Sequence, residues 1–363
     1  MSSLRRPCIE KRLSALRASM ESERLDAFLV IDRVNSLYFT GLHCSNSILV
    51  VTAEAAVFLT DFRYLEIAQR ELTAFEVRPL TQHTANELKT LLRPLKLRRI
   101  GFEGSITVQT HARLADAAGR ATLVEAGAAV ARLRALKDET EVTLIAASQR
   151  TNERIMRRVL AAVQPGVTES ALAREVRLAQ IEAGVGEGFE TIVASGPNSS
   201  LPHARPGIRR LRNGDFLTLD MGCIRCDYHS DLTRTVVLTK VSPRHREIYE
   251  IVREAQERAL AVVRAGVACH EVDAAARSFI TARGYGEYFG HGLGHGVGLA
   301  IHEAPTLNPR SHDVLEPGMI ITIEPGIYIP GFGGVRIEDL VVVTAKGYRN
   351  LTVLPKRLRV LCA

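Results

Sequence analysis

Residues 165–189 read PGVTESALAREVRLAQIEAGVGEGF, and residues 265–289 read AGVACHEVDAAARSFITARGYGEYF. The two stretches carry glycine, glutamate and phenylalanine at matching positions within a helical apolar pattern. The repeat continues at a shift of 104 residues, where LRNGDFLTLDMG (211–222) parallels LEPGMIITIEPG (315–326). A repeat of this kind predicts a duplicated α+β domain, in which each half runs helix, helix and then strands.

Acidic residues end the repeated strands. Asp220 ends FLTLD, and Glu324 ends ITIE just before a proline that cannot continue the ladder of hydrogen bonds. A hairpin to YHSDLTRTVVLT is expected to bring Asp231 onto the face of Asp220, and Glu338 shares a strand face with Arg336 in GGVRIEDLVVV. One arginine cannot neutralise four carboxylates in an apolar sheet, so the sequence predicts two divalent cations.

A glycine-rich segment, GHGLGHGVGLAIHEAP (290–305), supplies imidazole groups for the same site. Alternating glycines favour an extended chain over a helix, and the period of two places His291 and His295 on one side. The glycines let the backbone pass close to a ligand or another strand. The segment lacks the spacing of G-x-G-x-x-G, so a nucleotide loop is excluded.

The N-terminal part of the chain has a different pattern. Short apolar runs (DAFLVI, SILVV, AVFLT) separated by polar turns and followed by YLEIAQREL predict a smaller α/β domain. ARLRALKDETEVTLIAASQRTNERIMRRVL, from residue 131, predicts the start of a long amphipathic helix. We therefore place the domains at 1–129 and 130–363.

Composition narrows the class of protein. The basic residues that give the net charge of +7 are scattered along the chain, and aromatic residues are not interleaved with them. No nucleic-acid partner is therefore expected. Charges run through the first 30 residues, which excludes a secretory signal and a membrane span there. Six dispersed cysteines suit a reducing compartment, and we expect a cytoplasmic protein with no membrane partner.

The motifs together resemble those of a known family. LDMGCIRCDYHSDLTRTVVL, HGLGHGVGLAIHEAP, IEPGIYIPGFGGVRIEDLVVV and SGPNSSLPH are similar to the metal-binding motifs of the Xaa-Pro peptidases, prolidase and aminopeptidase P. YFTG at Tyr38 and LTDFRY at Leu59 resemble their creatinase-type N-terminal domain. The resemblance implies a pita-bread catalytic domain that hydrolyses the peptide bond before proline in peptide substrates.

The resemblance also implies a set of metal ligands. Asp220 would bind one metal, Asp231 and Glu338 would bridge both, and His295 with Glu324 would complete the second. Carboxylates with one imidazole suit Mn²⁺, with Co²⁺, Zn²⁺ or Fe²⁺ as alternatives. Two such cations activate water for attack on the carbonyl.

Further roles follow from the same resemblance. Glu324 would carry the proton to the leaving nitrogen, His302 would stabilise the tetrahedral oxyanion, and His291 would lie at the leaving-group side. His203 in LPHARP would lie near the substrate, and Arg336 would orient the carboxylates. A homodimer is expected on the same basis.

Alternative functions stay open at this point. The motifs do not separate a dipeptidase from aminopeptidase P. Methionine aminopeptidase shares the ligand types but usually lacks the N-terminal domain, and some pita-bread proteins bind peptides or proteins without catalysis. Retention of every ligand type favours a catalytic site.

Overall fold

The computed structural model describes residues 6–81 and 84–362. The chain divides into two compact units, Met1–Arg134 and Ala135–Ala363. The domain boundary expected near residue 130 falls within the helix Gly127–Ala135, at the end of the first unit.

The first unit surrounds a mixed sheet with the strand order β4-β3-β2-β1-β5-β6. Pairing is parallel between β1 and β5, β5 and β6, and β3 and β4, and antiparallel between β1, β2 and β3. The strands are β1 (Ala27–Val30), β2 (Ser47–Thr52), β3 (Ala56–Thr60), β4 (Glu76–Pro79), β5 (Arg99–Phe102) and β6 (Thr122–Glu125). The helices are α1 (Arg6–Ser22), α2 (Arg33–Thr40), α3 (Phe62–Glu71), α4 (Thr84–Leu92), α5 (Val108–Ala118) and α6 (Gly127–Ala135).

The second unit combines long helices with several antiparallel sheets. Its helices are α7 (Glu139–Ala161), α8 (Glu169–Glu182), α9 (Pro243–Val262) and α10 (Cys269–Ala282). Its earlier strands are β7 (Gly186–Glu187), β8 (Ile192–Ser195), β9 (Phe216–Met221), β10 (Cys223–Arg225), β11 (Tyr228–His229) and β12 (Leu232–Leu238). The later strands are β13 (Gly294–Gly296), β14 (Glu303–Leu307), β15 (Ile320–Ile323), β16 (Gly326–Ile329), β17 (Gly333–Arg336), β18 (Asp339–Thr344), β19 (Gly347–Asn350) and β20 (Val360–Leu361).

Equivalent hydrogen bonds relate the two halves of the second unit. The amide of Gly166 donates to the carbonyl of Leu211 at 2.8 Å, and that of Gly266 donates to Leu315 at 2.8 Å. Both glycines have positive φ, 89° and 85°, which few other residues adopt. The isolated bridge between Thr168 and Arg210 likewise recurs between Ala268 and Val314. These contacts reproduce the sequence offsets and support the predicted duplication.

Each half has its own apolar core. One core packs α7 and α8 against β9 and β12, and the other packs α9 and α10 against β15 and β18. Leu217 and Leu219 of β9 enter the first core, so the alternation of the strand places Asp220 on the opposite face. The duplicated strands therefore cover a core on one side and present acids on the other.

The predicted long helix is present as the 23-residue α7, but its predicted start at residue 131 is wrong. Helix α6 ends at Ala135, and α7 starts at Glu139. The Asp138 side chain accepts a hydrogen bond from the amide of Glu141, whose side chain accepts one from the amide of Asp138. This capping box fixes a new helix start despite the continuous apolar pattern.

Across residues 6–81 and 84–362, none of the helices is both long and apolar enough to cross a bilayer.

Candidate metal centre

The β9–β12 hairpin positions two aspartates. Asp220 pairs with Thr233 in the antiparallel register of these strands, and Asp231 lies just before β12. Both carboxylates are buried, at 8% and 5% exposure. Thr233 follows Asp231 by two residues, so their side chains share a face of the strand.

Glu338 approaches the aspartates from another sheet. It lies between β17 and β18, where the chain leaves one sheet and enters the next. Its Oε2 accepts a hydrogen bond of 2.8 Å from Thr233 Oγ1, and the residue is 1% exposed. Oxygen atoms of Asp220, Asp231 and Glu338 all lie within 4.8 Å of one another. Three buried carboxylates therefore converge from the β9–β12 hairpin and from the segment between β17 and β18.

His295 and Glu324 close the cluster. His295 lies in β13, and its Nε2 is 3.2 Å from Glu324 Oε1 and 3.6 Å from Asp231 Oδ2. Glu324 directly follows β15, and Thr322 Oγ1 donates to its Oε1 at 3.0 Å. The structure thus brings together all five residues for which the sequence implied metal binding.

The charges of the cluster are not balanced by the protein. Burial raises the pKa of Asp231 well above its usual range, and the charges of Glu338 and Asp220 raise this pKa further. Burial and the charge of Glu324 likewise raise the pKa of Glu338. The guanidinium of Arg336 donates to Asp220 Oδ2 and opposes this effect at one carboxylate. Added positive charge is needed to keep all these acids ionised.

The imidazole of His295 stabilises the neighbouring acid. Burial alone would raise the pKa of Glu324, but the hydrogen bond and charge of His295 hold it at about 2. Burial lowers the pKa of His295, and the hydrogen bond to Glu324 overcomes this and raises it. The contact between His295 and Glu324 therefore favours the protonated imidazole and the ionised carboxylate together.

Two oxygen atoms of the cluster fit a bound cation. Asp220 Oδ1 and Glu338 Oε1 are buried and accept no hydrogen bond, although buried polar atoms are normally paired. The other oxygen of each carboxylate is held by Arg336 or Thr233. Carboxylate oxygens with one imidazole form a donor set suited to Mn²⁺ and similar divalent ions.

The alternating glycines allow close packing around His295. A Cβ at Gly294 would collide with the carbonyl oxygen of Thr322, and one at Gly296 would collide with that of Ala304. A Cβ at Gly290, in contrast, meets no atom within 4 Å. The glycines inside the sheet are thus required by neighbouring backbone, as the sequence indicated, whereas Gly290 is not.

We expect Gly294→Ala to reduce the free energy of unfolding by about 1–3 kcal/mol, because the backbone of β15 must move away from the new methyl group. Gly290→Ala is the matched control, with an expected change below about 0.5 kcal/mol. Urea unfolding of both variants measures the difference. Equal loss in the two variants would contradict the packing argument.

A cavity of about 570 Å³ opens beside the cluster. His203, His291 and His302 line it together with Asp220, Asp231, His295, Glu324 and Arg336. Phe189, Ile192, Pro202 and Ile301 supply apolar walls. The ring of His302 packs edge-on against His295 with 4.3 Å between ring centroids. The structure therefore places every candidate residue of the sequence at this cavity except Glu338, which lies behind it among the carboxylates.

Tyr328 is a site residue that the sequence argument missed. Its hydroxyl is 2.9 Å from His291 Nε2 and accepts a hydrogen bond of 2.8 Å from Arg336 Nη1. Because Arg336 also donates to Asp220, the tyrosine connects His291 to the acids. The glycine-rich context of GIYIPG was a local signal, but the contact joins residues 37 positions apart and has no local periodicity.

Cys223 and Cys226 lie in different surroundings. The thiol of Cys223 is buried, its Sγ lies 3.7 Å from Asn152 Oδ1, and burial raises its pKa to about 12. Cys226 is exposed in the adjoining turn.

Two family profiles match most of the chain. The profile of Metallopeptidase family M24 matches residues 143–345. The profile of the Creatinase/Prolidase N-terminal domain matches residues 12–136. An uncharacterized peptidase of Bacillus subtilis is 38% identical over 356 residues, which cover 96% of this chain and 100% of that relative.

Solved structures extend the likeness to three dimensions. The Xaa-Pro dipeptidase from Bacillus anthracis superposes with a TM-score of 0.94 at 36% identity, over 97% of this chain and 100% of that chain. The X-Pro aminopeptidase from Thermotoga maritima gives 0.85 at 36% identity, over 94% and 100%. These likenesses confirm the predicted two-part fold and the relation to Xaa-Pro peptidases. The chain belongs to Metallopeptidase family M24, a family of hydrolases, and carries a creatinase/prolidase N-terminal domain.

Proposed function

We propose that this protein hydrolyses the peptide bond between an N-terminal residue and proline, and that it requires two divalent metal ions. The observation that carries the proposal is the convergence of buried carboxylates whose Asp220 Oδ1 and Glu338 Oε1 have no partner, beside a 570 Å³ cavity. The similar structures are an Xaa-Pro dipeptidase and an X-Pro aminopeptidase, which supports the substrate class. The family resemblance also implies a homodimer, which sedimentation equilibrium would test.

Five residues are the proposed ligands of the two ions. Asp220, Asp231, Glu338, His295 and Glu324 would together hold both ions. Mn²⁺ is the proposed metal, because the set is mainly carboxylate with one imidazole, and Co²⁺, Zn²⁺ or Fe²⁺ would suit the same donors. When bound, such ions supply Lewis acidity and allow a nucleophile to form at neutral pH.

Glu324 is the proposed proton carrier. Its Oε1 is held by His295 and Thr322, so its position is fixed from two directions. Thr322 and His295 approach only this oxygen in the structure, and the other carboxylate oxygen, Oε2, is the one proposed to exchange a proton. A water molecule that attacks the carbonyl before proline would pass its proton to Glu324 Oε2, which would then protonate the leaving nitrogen.

The histidines of the cavity would stabilise the reacting groups. His302 would donate a hydrogen bond to the oxygen of the tetrahedral intermediate, and His291 would lie beside the leaving group. His203, which also lines the cavity, would contact the substrate. Arg336 is a positioning residue, because it donates to Asp220 and to Tyr328, whose hydroxyl contacts His291.

Specificity for proline follows from the shape of the site rather than from backbone hydrogen bonds. The peptide nitrogen of proline has no hydrogen to donate, so strand-like recognition is unavailable at the scissile bond. Phe189, Ile192 and Ile301 supply apolar surface that suits a pyrrolidine ring. The carbonyl oxygen before proline would then be oriented toward His302.

Metal binding should raise the thermal stability of the protein. Mn²⁺ at 100 times its Kd is expected to add about 2.7 kcal/mol to the free energy of unfolding. Glu338→Gln should lose most of this gain, because one acid that requires the cation is removed. The gain is measured as the shift in Tm between chelated and Mn²⁺-loaded protein.

Asp339→Asn is the matched control for that experiment. Asp339 is equally buried and adjacent in sequence, but its oxygens pair with Arg234 and Lys356 rather than with the cluster. The variant should be less stable than wild type yet keep the Mn²⁺-dependent shift. A full shift in Glu338→Gln would argue against its role as a ligand.

The activity itself is tested with Ala-Pro and Ala-Pro-Gly in the presence of Mn²⁺. Release of alanine from at least one of them is expected, with Ala-Ala as the control for proline selectivity. Hydrolysis of neither proline peptide by protein that demonstrably binds Mn²⁺ would refute the proposed function.

A further inference from the structure

A pair of opposite charges lies at the mouth of the cavity. Arg205 and Glu190 both line it, and Arg205 Nε is 3.5 Å from Glu190 Oε2. Their side chains are 84% and 67% exposed. Exposed pairs of this kind contribute little stability and exchange partners easily, so the guanidinium is available to a ligand at small cost.

The backbone that carries Arg205 is fixed even though its side chain is exposed. The preceding residue, Ala204, is buried against Ile192 and Ala194, and its amide donates to the carbonyl of Leu201 at 3.1 Å. A guanidinium on an anchored segment loses less conformational freedom on binding than one on a loose loop. Arg205 is therefore suited to a defined contact at the cavity.

Among the described residues that line the cavity, the other permanently charged cation is Arg336, and its guanidinium already donates hydrogen bonds within the protein. Arg336 donates to Asp220, Tyr328 and Thr233 and is 4% exposed. An anionic part of a substrate would thus find its guanidinium partner at Arg205. Guanidinium groups bind carboxylates through two parallel hydrogen bonds, which makes the contact directional.

Substrate chemistry identifies the group that Arg205 would meet. In an Xaa-Pro dipeptide the C-terminal carboxylate is two bonds from the leaving nitrogen, whereas a longer peptide has a neutral amide at that position. We propose that Arg205 binds this carboxylate and makes the enzyme select Xaa-Pro dipeptides over longer Xaa-Pro peptides. The proposal rests on the proposed peptidase function and assigns the length of the peptide that the enzyme prefers.

The test compares two substrates that differ only in this charge. Ala-Pro and alanyl-prolinamide contain the same scissile bond, but the amide has no carboxylate. Arg205→Ala should lower kcat/KM for Ala-Pro about tenfold, which is the effect of losing one charge-assisted hydrogen bond at an exposed site. The kcat/KM for alanyl-prolinamide should change less than about twofold. Raising the ionic strength should weaken Ala-Pro hydrolysis in wild type more than in the variant.

Two further variants sharpen the result. Arg205→Lys keeps the charge without the planar fork and should restore part of the preference for Ala-Pro. Arg212→Ala removes an exposed arginine of the same segment that does not line the cavity, and it should leave the preference unchanged. Thermal unfolding of each variant confirms that the second unit stays folded.

The outcomes separate this proposal from the proposed function. If wild type hydrolyses both compounds and Arg205→Ala changes both by the same factor, or neither, the carboxylate assignment is overturned and the peptidase function stands. If Mn²⁺-loaded wild type hydrolyses Ala-Pro-Gly but not Ala-Pro, the Arg205 assignment is overturned and the peptidase function stands. If it hydrolyses none of the three compounds, the proposed function fails and the Arg205 assignment fails with it. A selective loss on Ala-Pro supports both.

Discussion

Glu324→Gln is expected to lower kcat on Ala-Pro by about 100- to 10,000-fold, the usual contribution of a general acid–base group. Glutamine has the same size and keeps an oxygen that can accept from Thr322, but it cannot take up a proton. Stopped assays at saturating Mn²⁺ measure kcat, and metal analysis of the same sample reports occupancy. The fold should persist, because the side chain lies at the end of β15 and outside the apolar core.

The control for Glu324→Gln is Glu287→Gln, which removes an exposed acid outside the cavity and should leave kcat unchanged. Retention of metal together with the loss of turnover supports the proton-carrying role. A fully active Glu324→Gln variant would contradict that role. Loss of both metal and turnover would show that Glu324 acts as a metal ligand and would not support a proton-carrying role.

Lys137→Met is expected to reduce the free energy of unfolding of the second unit by about 3–5 kcal/mol. Lys137 Nζ lies 2.7 Å from Glu303 Oε1, and the side chains are 1% and 7% exposed. Removal of the lysine takes away the ammonium group that lies closest to this buried carboxylate. Activity should fall as well, because Glu303 follows His302 directly and its side chain packs against Gly298. Denaturant unfolding and kcat/KM are the measurements.

Two comparison variants show whether the cost at Lys137 comes from the burial of its ion pair or from the loss of an ion pair of any kind. Lys137→Met combined with Glu303→Leu should recover much of the lost stability, because both charges of the buried pair are then removed. Lys89→Met breaks a pair of the same length, 2.7 Å to Asp116, whose side chains are 26% and 60% exposed. Its expected cost is below about 1 kcal/mol. A cost at Lys137 no greater than at Lys89 would contradict the argument from burial.

Much of the fold could be predicted from the sequence, because a duplicated domain repeats the same residue types at a constant spacing. The offsets of 100 and 104 residues that align the repeats also align the hydrogen bonds of Gly166 and Gly266. The start of α7 was predicted too early because the apolar pattern continues across the break after α6. The capping box of Asp138 and Glu141 decided that boundary, and such local polar signals compete with periodicity.

The candidate ligands were also identifiable from the sequence, because acids at the ends of apolar strands need a physical explanation. The partners that hold them were not. Thr233 binds Glu338 across 105 positions, and Arg336 reaches Asp220 across 116. Threonine and arginine in strands have many ordinary roles, so residue type alone did not select these contacts.

The sequence by itself determined the duplication, the acids and imidazoles available for a metal, and the glycines that let His295 lie close to its neighbours. Tertiary structure decided which carboxylate oxygens lack partners, how Tyr328 joins His291 to Arg336, and that Arg205 and Glu190 meet at the cavity mouth. The reason is physical: covalent order and periodicity fix which side of an element a residue occupies. Solvation and pairing depend on atoms that the folded chain brings together from distant positions.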